Sequence, residues 1–256
     1  MIAVVAGGMG GGSRRFAPFH RWDRTALLVM IAAMWLGIVM GFVPEIAGHI
    51  AKHEPAYPLI VHVHAAAFVG WMALLTTQVL LMRVRRPDLH RRLGLAGPVL
   101  AAIMIVLGPA TALTVQRLAV GHPDADPAFL SVQFGGILAF GALATAAFLL
   151  RGDASSHKRL ILLATLGIID AGFARWLGAP MTKWLGPAGY WQNFAELYAG
   201  SYLLLVSFGA YDLITRRRLH PAYVIGAGWI AAMQLAAIWL YLSPAWKAFA
   251  IGLIGR

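Results

Sequence analysis

Histidines placed beside arginines are the residues of this chain best suited to chemistry. His90, His157 and His220 each stand in a short basic stretch at the start of an apolar run. An imidazole at the start of a helix meets the positive end of the helix dipole, which favours the neutral form that binds a metal or exchanges a proton. The three positions predict ligands for haem b or another histidine-bound cofactor. The alternative is that they anchor helices at lipid headgroups.

Four further histidines lie near the other end of the predicted helices. His49 and His53 are four residues apart and share one face if the stretch is helical, which predicts a metal site. His62 and His64 begin the second apolar run and are also possible cofactor ligands. Two residues apart on a helix, they point in different directions, so only one of them faces the bundle.

A polar stripe identifies His64 as the inward-facing member of that pair. His64, Trp71 and Gln78 are spaced seven residues apart and therefore lie along one side of a helix. Exposing these polar side chains to hydrocarbon costs roughly several kcal/mol of free energy for each group that lacks a hydrogen-bond partner. We expect the stripe to face other helices, either as part of a ligand site or as hydrogen bonds that hold the bundle together.

Three ionisable residues stand inside apolar runs: Asp170, Arg175 and Glu196. Charges at that depth are expensive and are usually paired or functional. We expect them to line a polar cavity together with His64, although Arg175 at the end of its run can also extend to the interface. Asp212, four residues before Arg216, is interpreted as half of a local ion pair.

The elements that position these residues are transmembrane helices. The chain has 256 residues, is 60% hydrophobic and only 12% charged, with a mean hydropathy of +0.71. A bilayer core about 30 Å thick requires about 20 apolar residues in a helix. Seven segments qualify: 25–44, 58–82, 93–116, 128–150, 159–178, 192–214 and 221–242.

Basic residues predict the orientation of the seven helices. With the amino terminus in the cytoplasm, fifteen of the 21 Lys and Arg residues fall on the cytoplasmic side, as the positive-inside rule requires. The carboxyl terminus is then extracytoplasmic. The chain is expected to form one helix followed by three hairpins, each turning at a basic histidine stretch.

The remaining segments are short. Residues 1–24 are predicted to be a flexible basic cytoplasmic amino terminus, 25–243 a single transmembrane domain, and 244–256 a short extracytoplasmic tail. The stretch from Gly178 to Tyr190 is rich in Gly and Pro and is predicted to be an interfacial turn.

Composition also excludes several classes of function. The chain has no cysteine, so disulfides, iron–sulfur clusters and thiolate metal sites are excluded. The net charge of +11 comes from clusters between apolar runs, so we expect no nucleic-acid partner; the expected partners are the bilayer, anionic lipid at the cytoplasmic face and other membrane subunits. No serine lies in a Gly-x-Ser-x-Gly element, and catalytic residues stay unassigned.

One pattern resembles a known family. It consists of His62-Val63-His64, then Phe68, Trp71, Gln78 and Leu81, and then Leu89-His90-Arg91-Arg92-Leu93-Gly94. It is similar to the pattern of an uncharacterised, DUF2306-type family of bacterial inner-membrane proteins, and the resemblance implies a multi-pass protein of that membrane without implying a reaction. The placement of histidines near both faces is also similar, more weakly, to membrane b-type cytochromes.

These observations leave several functions open. The leading hypothesis is a haem- or metal-linked redox component with histidine ligands. A proton-coupled transporter that uses the intramembrane charges is the second hypothesis. An accessory subunit of a membrane complex is the third, and a metal-dependent lipid hydrolase is a minor one.

Overall fold

The computed structural model describes residues 16–17, 19–122, 125–186 and 189–255. Within these ranges the elements are α1 (Asp23–Ala51), α2 (Leu59–Arg83), α3 (Pro87–Gly94), α4 (Ala96–Leu118), a 3-10 turn (Pro127–Phe129), α5 (Leu130–Leu149), α6 (Ala154–Leu185), α7 (Tyr190–Arg216), α8 (Pro221–Tyr241) and α9 (Pro244–Ile254). Seven units are long and apolar enough to cross a membrane, with α3 and α4 together forming one of them. The prediction of an all-α protein with seven transmembrane helices is confirmed.

Prolines mark where several helices begin. Pro58 precedes α2, and Pro87, Pro221 and Pro244 occupy the first turns of α3, α8 and α9. A proline in the first turn of a helix removes no hydrogen bond, because the N–H it lacks would have no partner there. The sequence therefore marks the separation of these apolar runs directly.

Three hairpins follow α1, as predicted. Their paired helices are α2 with α4, α5 with α6 and α7 with α8, and the members of each pair contact each other. The connecting turns, residues 84–86, 150–153 and 217–220, lie at the end of the bundle where α1 begins. We call this the basic end.

The central helix of the bundle is α6, which packs against α1, α5, α7 and α8. Small residues make this arrangement possible. A methyl group on Gly41 of α1 would overlap the main chain of Gly172 in α6, and one on Gly200 of α7 would overlap Phe173. Membrane helices can approach each other this closely at glycine, because glycine has no side chain to separate the two backbones.

Large apolar side chains cover the outside of the bundle. Val29 is 63% exposed, Leu59 77% and Leu149 79%. Exposed apolar surface on this scale marks a region that contacts something other than water, and the seven apolar helices identify it as lipid. The protein is a multi-pass membrane protein.

The predicted interfacial turn from Gly178 to Tyr190 is wrong over most of its length. α6 continues as a helix through Pro180 to Leu185, and α7 starts at Tyr190. Residues 187–188 lie outside the described ones. At 32 residues α6 is about 48 Å long, so it projects beyond the hydrocarbon core, and its last turns, including Pro180, are mostly exposed.

Helical structure extends into both predicted terminal segments. The predicted carboxyl-terminal tail contains α9, whose Trp246 donates from Nε1 to the carbonyl of Ala128 at 2.9 Å. Arg117 of α4 also donates to the carbonyl of Leu253 at 3.3 Å. At the other end, most of the predicted flexible segment 1–24 lies outside the described residues, and its last two positions belong to α1.

Candidate functional site

Two of the histidines at the basic end join consecutive helices. The side-chain amide of Gln78 in α2 is satisfied in one of its two orientations. In that orientation its nitrogen donates to Nδ1 of His90 at 2.5 Å, and its oxygen accepts from the main-chain N of Gly94 at 2.9 Å. His157 Nδ1 lies 2.8 Å from the carbonyl oxygen of Ala147 at the end of α5. Each imidazole therefore holds the turn of its own hairpin closed.

The third histidine caps its own helix. His220 precedes α8, and its Nδ1 accepts a hydrogen bond from the main-chain N of Ala222 at 3.1 Å. Burial lowers the pKa of His220 below its ordinary value, because a low-dielectric environment disfavours the imidazolium ion. The neutral form is the one that can accept this hydrogen bond. The imidazole ring is perpendicular to the ring of Phe16, and the two ring centroids are 4.6 Å apart.

The stripe on α2 lies against several different partners. His62 is exposed, whereas His64 is half-buried and stacks on Phe68 with ring centroids 4.2 Å apart. Nδ1 of His64 has no partner among the described residues. Trp71 is buried and donates from Nε1 to the hydroxyl of Thr165 in α6 at 3.0 Å. Along this stripe, His64 therefore carries an unsatisfied nitrogen, and Trp71 forms a hydrogen bond that links α2 to the central helix.

The metal site predicted at His49 and His53 lacks the helix it requires. α1 ends at Ala51, and His53 has a positive φ of 54° in the following turn. His49 lies with its Nδ1 2.6 Å from Glu54 Oε2 and stacks on Tyr57. No group of three or more His, Asp or Glu residues able to hold a metal occurs in the described part of the chain.

The charges predicted to line one polar cavity point to different neighbours. Arg175 pairs with Glu45 of α1, and both side chains are exposed. Glu196 of α7 packs its Cγ over Gly178 near the end of α6. Asp170 faces α7 and α8 instead. The structure therefore does not bring these residues together with His64 in one cavity.

Asp170 is an intramembrane carboxyl with neutral neighbours. Its Oδ2 accepts a hydrogen bond from Nε2 of Gln234 in α8 at 2.9 Å. Ser201 of α7 lies within hydrogen-bonding reach of the carboxyl, and in the described geometry its hydroxyl donates to the carbonyl of Tyr198 at 3.0 Å. The titratable side chains that face the carboxyl are Tyr198 and Tyr202, both on α7.

Two buried oxygens at this site lack hydrogen-bond donors. They are Oδ1 of Asp170 and Oε1 of Gln234, neither of which has a partner in the described part of the chain. The adjoining gap, lined in part by Ser201, Tyr202 and Leu205, is too small to admit a water molecule. A proton on the carboxyl would convert one of the two acceptors into a donor. A carboxyl in this arrangement is chemically able to hold a proton out of contact with water.

A cluster of charges at the basic end was not predicted as a unit. Arg159 of α6 donates from Nε and Nη2 to both carboxylate oxygens of Asp212 in α7, at 2.7 and 2.5 Å. Their side chains are 1% and 0% exposed. The predicted local pair of Asp212 with Arg216 exists at 3.6 Å, but the closer and bidentate partner of Asp212 is Arg159. The predicted local pair is therefore confirmed, and the sequence missed the closer partner across the bundle.

Asp23 extends the cluster to α1. Its carboxylate accepts hydrogen bonds from Lys158 at 2.7 Å, from Arg216 at 2.8 Å and from the hydroxyl of Tyr211 at 2.6 Å. Phe16 lies over the cluster, with its ring 4.6 Å from Cζ of Arg159. We call these residues the basic-end cluster: Phe16, Asp23, Lys158, Arg159, Tyr211, Asp212 and Arg216. It connects α1, α6 and α7.

The sequence contained a partial signal for this cluster. Lys158 and Arg159 follow His157, and Arg216 lies beside two more arginines, so the topology rule accounts for all of them. The acidic partners are the informative residues, because an Asp at the basic end has no role in that rule. Their pairing across 53 and 135 positions of sequence depends on which helices are neighbours.

Comparisons with known proteins give no family for this chain. No family model matches it, and neither the curated proteins nor the solved structures include a match. The DUF2306-type resemblance and the likeness to b-type cytochromes both stay predictions. The function must be argued from the geometry of the site.

Proposed function

We propose that this protein is a proton-coupled carrier of a bacterial inner membrane, and that Asp170 binds and releases the proton. The observation that carries the proposal is a carboxyl on the central helix whose neighbours are all neutral and whose Oδ1 is buried without a donor. Intramembrane carboxyls that lack a cation are characteristic of proton relays in pumps and transporters.

The energetics favour a proton over a structural ion pair at this position. An ionised carboxylate buried without a compensating cation is very costly, so such a group takes up a proton instead. By contrast, Asp23 and Asp212 have basic partners at hydrogen-bond distance. The chain therefore pairs its carboxylates at the basic end and leaves Asp170 with only neutral partners.

Proton exchange requires the bundle to open near Asp170. The gap beside the carboxyl admits no water in the described conformation, so the proton is occluded there. Release needs α7 or α8 to move relative to α6. A carrier that exposes such a site first to one face and then to the other would couple this opening to a second substrate.

The orientation of the carrier follows from its basic end. The three basic turns and the start of α1 belong to one end of the bundle, and the positive-inside rule assigns that end to the cytoplasm. Seven spans then direct the carboxyl terminus and α9 outward. Access of a labelling reagent to a cysteine introduced at Ser243, from outside intact cells, tests the assignment.

Infrared spectroscopy of the reconstituted protein tests the protonation of Asp170 directly. The C=O stretch of a protonated carboxylic acid is expected in wild type and absent in Asp170→Asn. Glu196→Gln is the matched control, because Glu196 is the carboxyl of α7 that lies outside the basic-end cluster, and this variant should retain the band. Loss of the band in Glu196→Gln and its retention in Asp170→Asn would contradict the proposal.

Proton movement is tested in liposomes that enclose a pH-sensitive dye. Octanoate, octyl phosphate and octylamine serve as probes, because they share one chain and differ in head charge. At least one of them is expected to drive proton movement faster than in protein-free liposomes with wild type and with Glu196→Gln, and none with Asp170→Asn. Equal proton movement in wild type and Asp170→Asn would show that this residue is not the coupling group.

A redox role is the second candidate, and one observation favours it. His64 lies within a span, half-buried, with its Nδ1 unsatisfied, and an unsatisfied imidazole nitrogen is available to a metal or haem iron. A histidine ligand usually donates its other ring N–H to a partner that fixes its orientation. An absorption spectrum of purified protein, reduced minus oxidised, with elemental analysis tests this role, since a haem or bound metal lost in His64→Ala would support it.

A further inference from the structure

A groove of about 260 Å³ opens between α1 and α7 above the central helix α6. Its charged end belongs to the basic-end cluster and includes Asp23, Lys158 and Tyr211. The rest of its lining is largely apolar and includes Leu162 of α6 and Phe208 of α7. The groove therefore has one polar end and one apolar end.

The position of the groove matches one leaflet of a bilayer. Its lining on α1 runs from Asp23 to Ala33, a rise of about 15 Å. This distance is half of a hydrocarbon core about 30 Å thick. Val29, which lies on its rim, is 63% exposed, so the groove is open sideways to lipid.

The charge of the cluster selects the kind of headgroup. Lys158, Arg159 and Arg216 carry three positive charges against the two negative charges of Asp23 and Asp212, which leaves one positive charge in excess. Arg218, with its Cζ 5.5 Å from the ring of Phe16, adds another at the same end. A headgroup at this end of the groove meets a net positive potential.

We propose that this groove is a binding site for an anionic phospholipid of the leaflet at the basic end. One acyl chain lies in the groove between α1 and α7, and the phosphate lies at the basic-end cluster beside Lys158. The volume lies just below the range of about 300–1,000 Å³ typical of ligand pockets, so it accommodates one chain while the second stays in the bilayer. The site is separate from Asp170 and does not depend on the proposed transport.

Substitutions at two adjacent alanines of α1 test the chain-binding part of the site. Ala33 lines the groove, whereas its neighbour Ala32 is exposed on the lipid-facing side and does not. Ala33→Phe fills the groove with a ring, and Ala32→Phe adds the same ring outside it. Both variants keep every charge of the cluster.

Native mass spectrometry of the detergent-purified protein measures the occupancy. With dioleoyl phosphatidylglycerol added, wild type and Ala32→Phe are expected to hold one lipid, and Ala33→Phe to bind it at least about tenfold more weakly. A tenfold loss of affinity corresponds to 1.4 kcal/mol. Displacing about two methylene groups of the acyl chain from the groove would cost more than that. Equal binding by the two variants would overturn the proposal.

Two further arms distinguish the source of recognition. Dioleoyl phosphatidylcholine, which has the same chains and no net charge, is expected to bind more weakly than the glycerol lipid, and inorganic phosphate is expected not to displace the bound lipid. Equal binding of the two lipids would show that charge is not recognised. A stable dimer that lacks lipid and is abolished by Ala33→Phe would identify the groove as a subunit contact instead.

Discussion

Breaking the ion pair between Arg159 and Asp212 by removing one partner should be among the most destabilising single changes in this protein. The two side chains are 1% and 0% exposed and share two hydrogen bonds. Replacing Asp212 with Leu leaves the guanidinium buried without its carboxylate, and breaking such a pair costs about 3–5 kcal/mol. At roughly 2–4 °C per kcal/mol for a protein of this size class, the melting temperature should fall by about 6–20 °C.

The assay is thermal unfolding of the detergent-purified protein, followed by the loss of its monodisperse peak in size-exclusion chromatography. Asp88→Ala is the matched control, since it breaks the exposed pair of Asp88 with Arg86 and should have little effect. The double variant Arg159→Met with Asp212→Leu should recover most of the loss, because it removes both buried charges. A melting temperature for Asp212→Leu no lower than that of Asp88→Ala would refute the reasoning, as would a double variant no more stable than the single one.

Three other results are expected. Gly41→Ala should lower the melting temperature markedly, since the methyl overlaps the α6 backbone, whereas Gly48→Ala, whose Cβ meets nothing within 4 Å, should not. The pKa of His220 is lower in the folded protein than in the unfolded chain, so stability should decrease as the pH falls through the pKa that His220 has in the unfolded chain. The variant His220→Asn keeps a side chain that can cap the helix, and it should show less of this decrease in thermal melts from pH 8 to 5. Trp71→Phe should cost about 1 kcal/mol or more by removing the hydrogen bond that its Nε1 donates to Thr165, whose own hydroxyl still donates to the carbonyl of Ile161. A Thr165→Val variant that is equally destabilised and not additive with it in a double-mutant cycle would confirm the pairing; full additivity would contradict it.

The number and type of the helices were predictable because they depend on local composition. Each span must be apolar over about 20 residues whatever its neighbours are, and prolines such as Pro58 and Pro221 mark helix starts independently of packing. The one large error, at Gly178 to Tyr190, has the same origin. Glycine and proline favour a break locally, but α6 continues as a helix to Leu185, with Gly178 packed against Glu196 of α7.

The site was only partly predictable, because it depends on the order of the helices around α6. The sequence identified Asp170 as a costly charge but assigned it to a cavity with Arg175. The two residues lie on one helix and face different neighbours, α7 with α8 for the first and α1 for the second. Periodicity along a helix shows which residues share a face and does not show which helix covers that face.

The histidine stretches illustrate the same division. Their sequence predicted three turns at one end of the bundle, which the structure contains, and suggested three ligands of one cofactor. In the structure His157 bonds to the preceding helix and His220 caps the following one. The side chain of a histidine at the start of a helix is short, so the polar groups within its reach belong to the nearby main chain and not to another histidine.

The sequence by itself determined that this protein has seven membrane helices, three basic turns and ionisable residues inside its apolar runs, because apolar length, proline and charge act within a single segment. The tertiary structure alone decided that Arg159 pairs with Asp212, that Asp23 joins them from α1, and that Asp170 is left with neutral partners. These outcomes depend on the close glycine contacts that place α1 and α7 against α6. Partners separated by 53 to 193 positions of sequence meet only once those helices are packed.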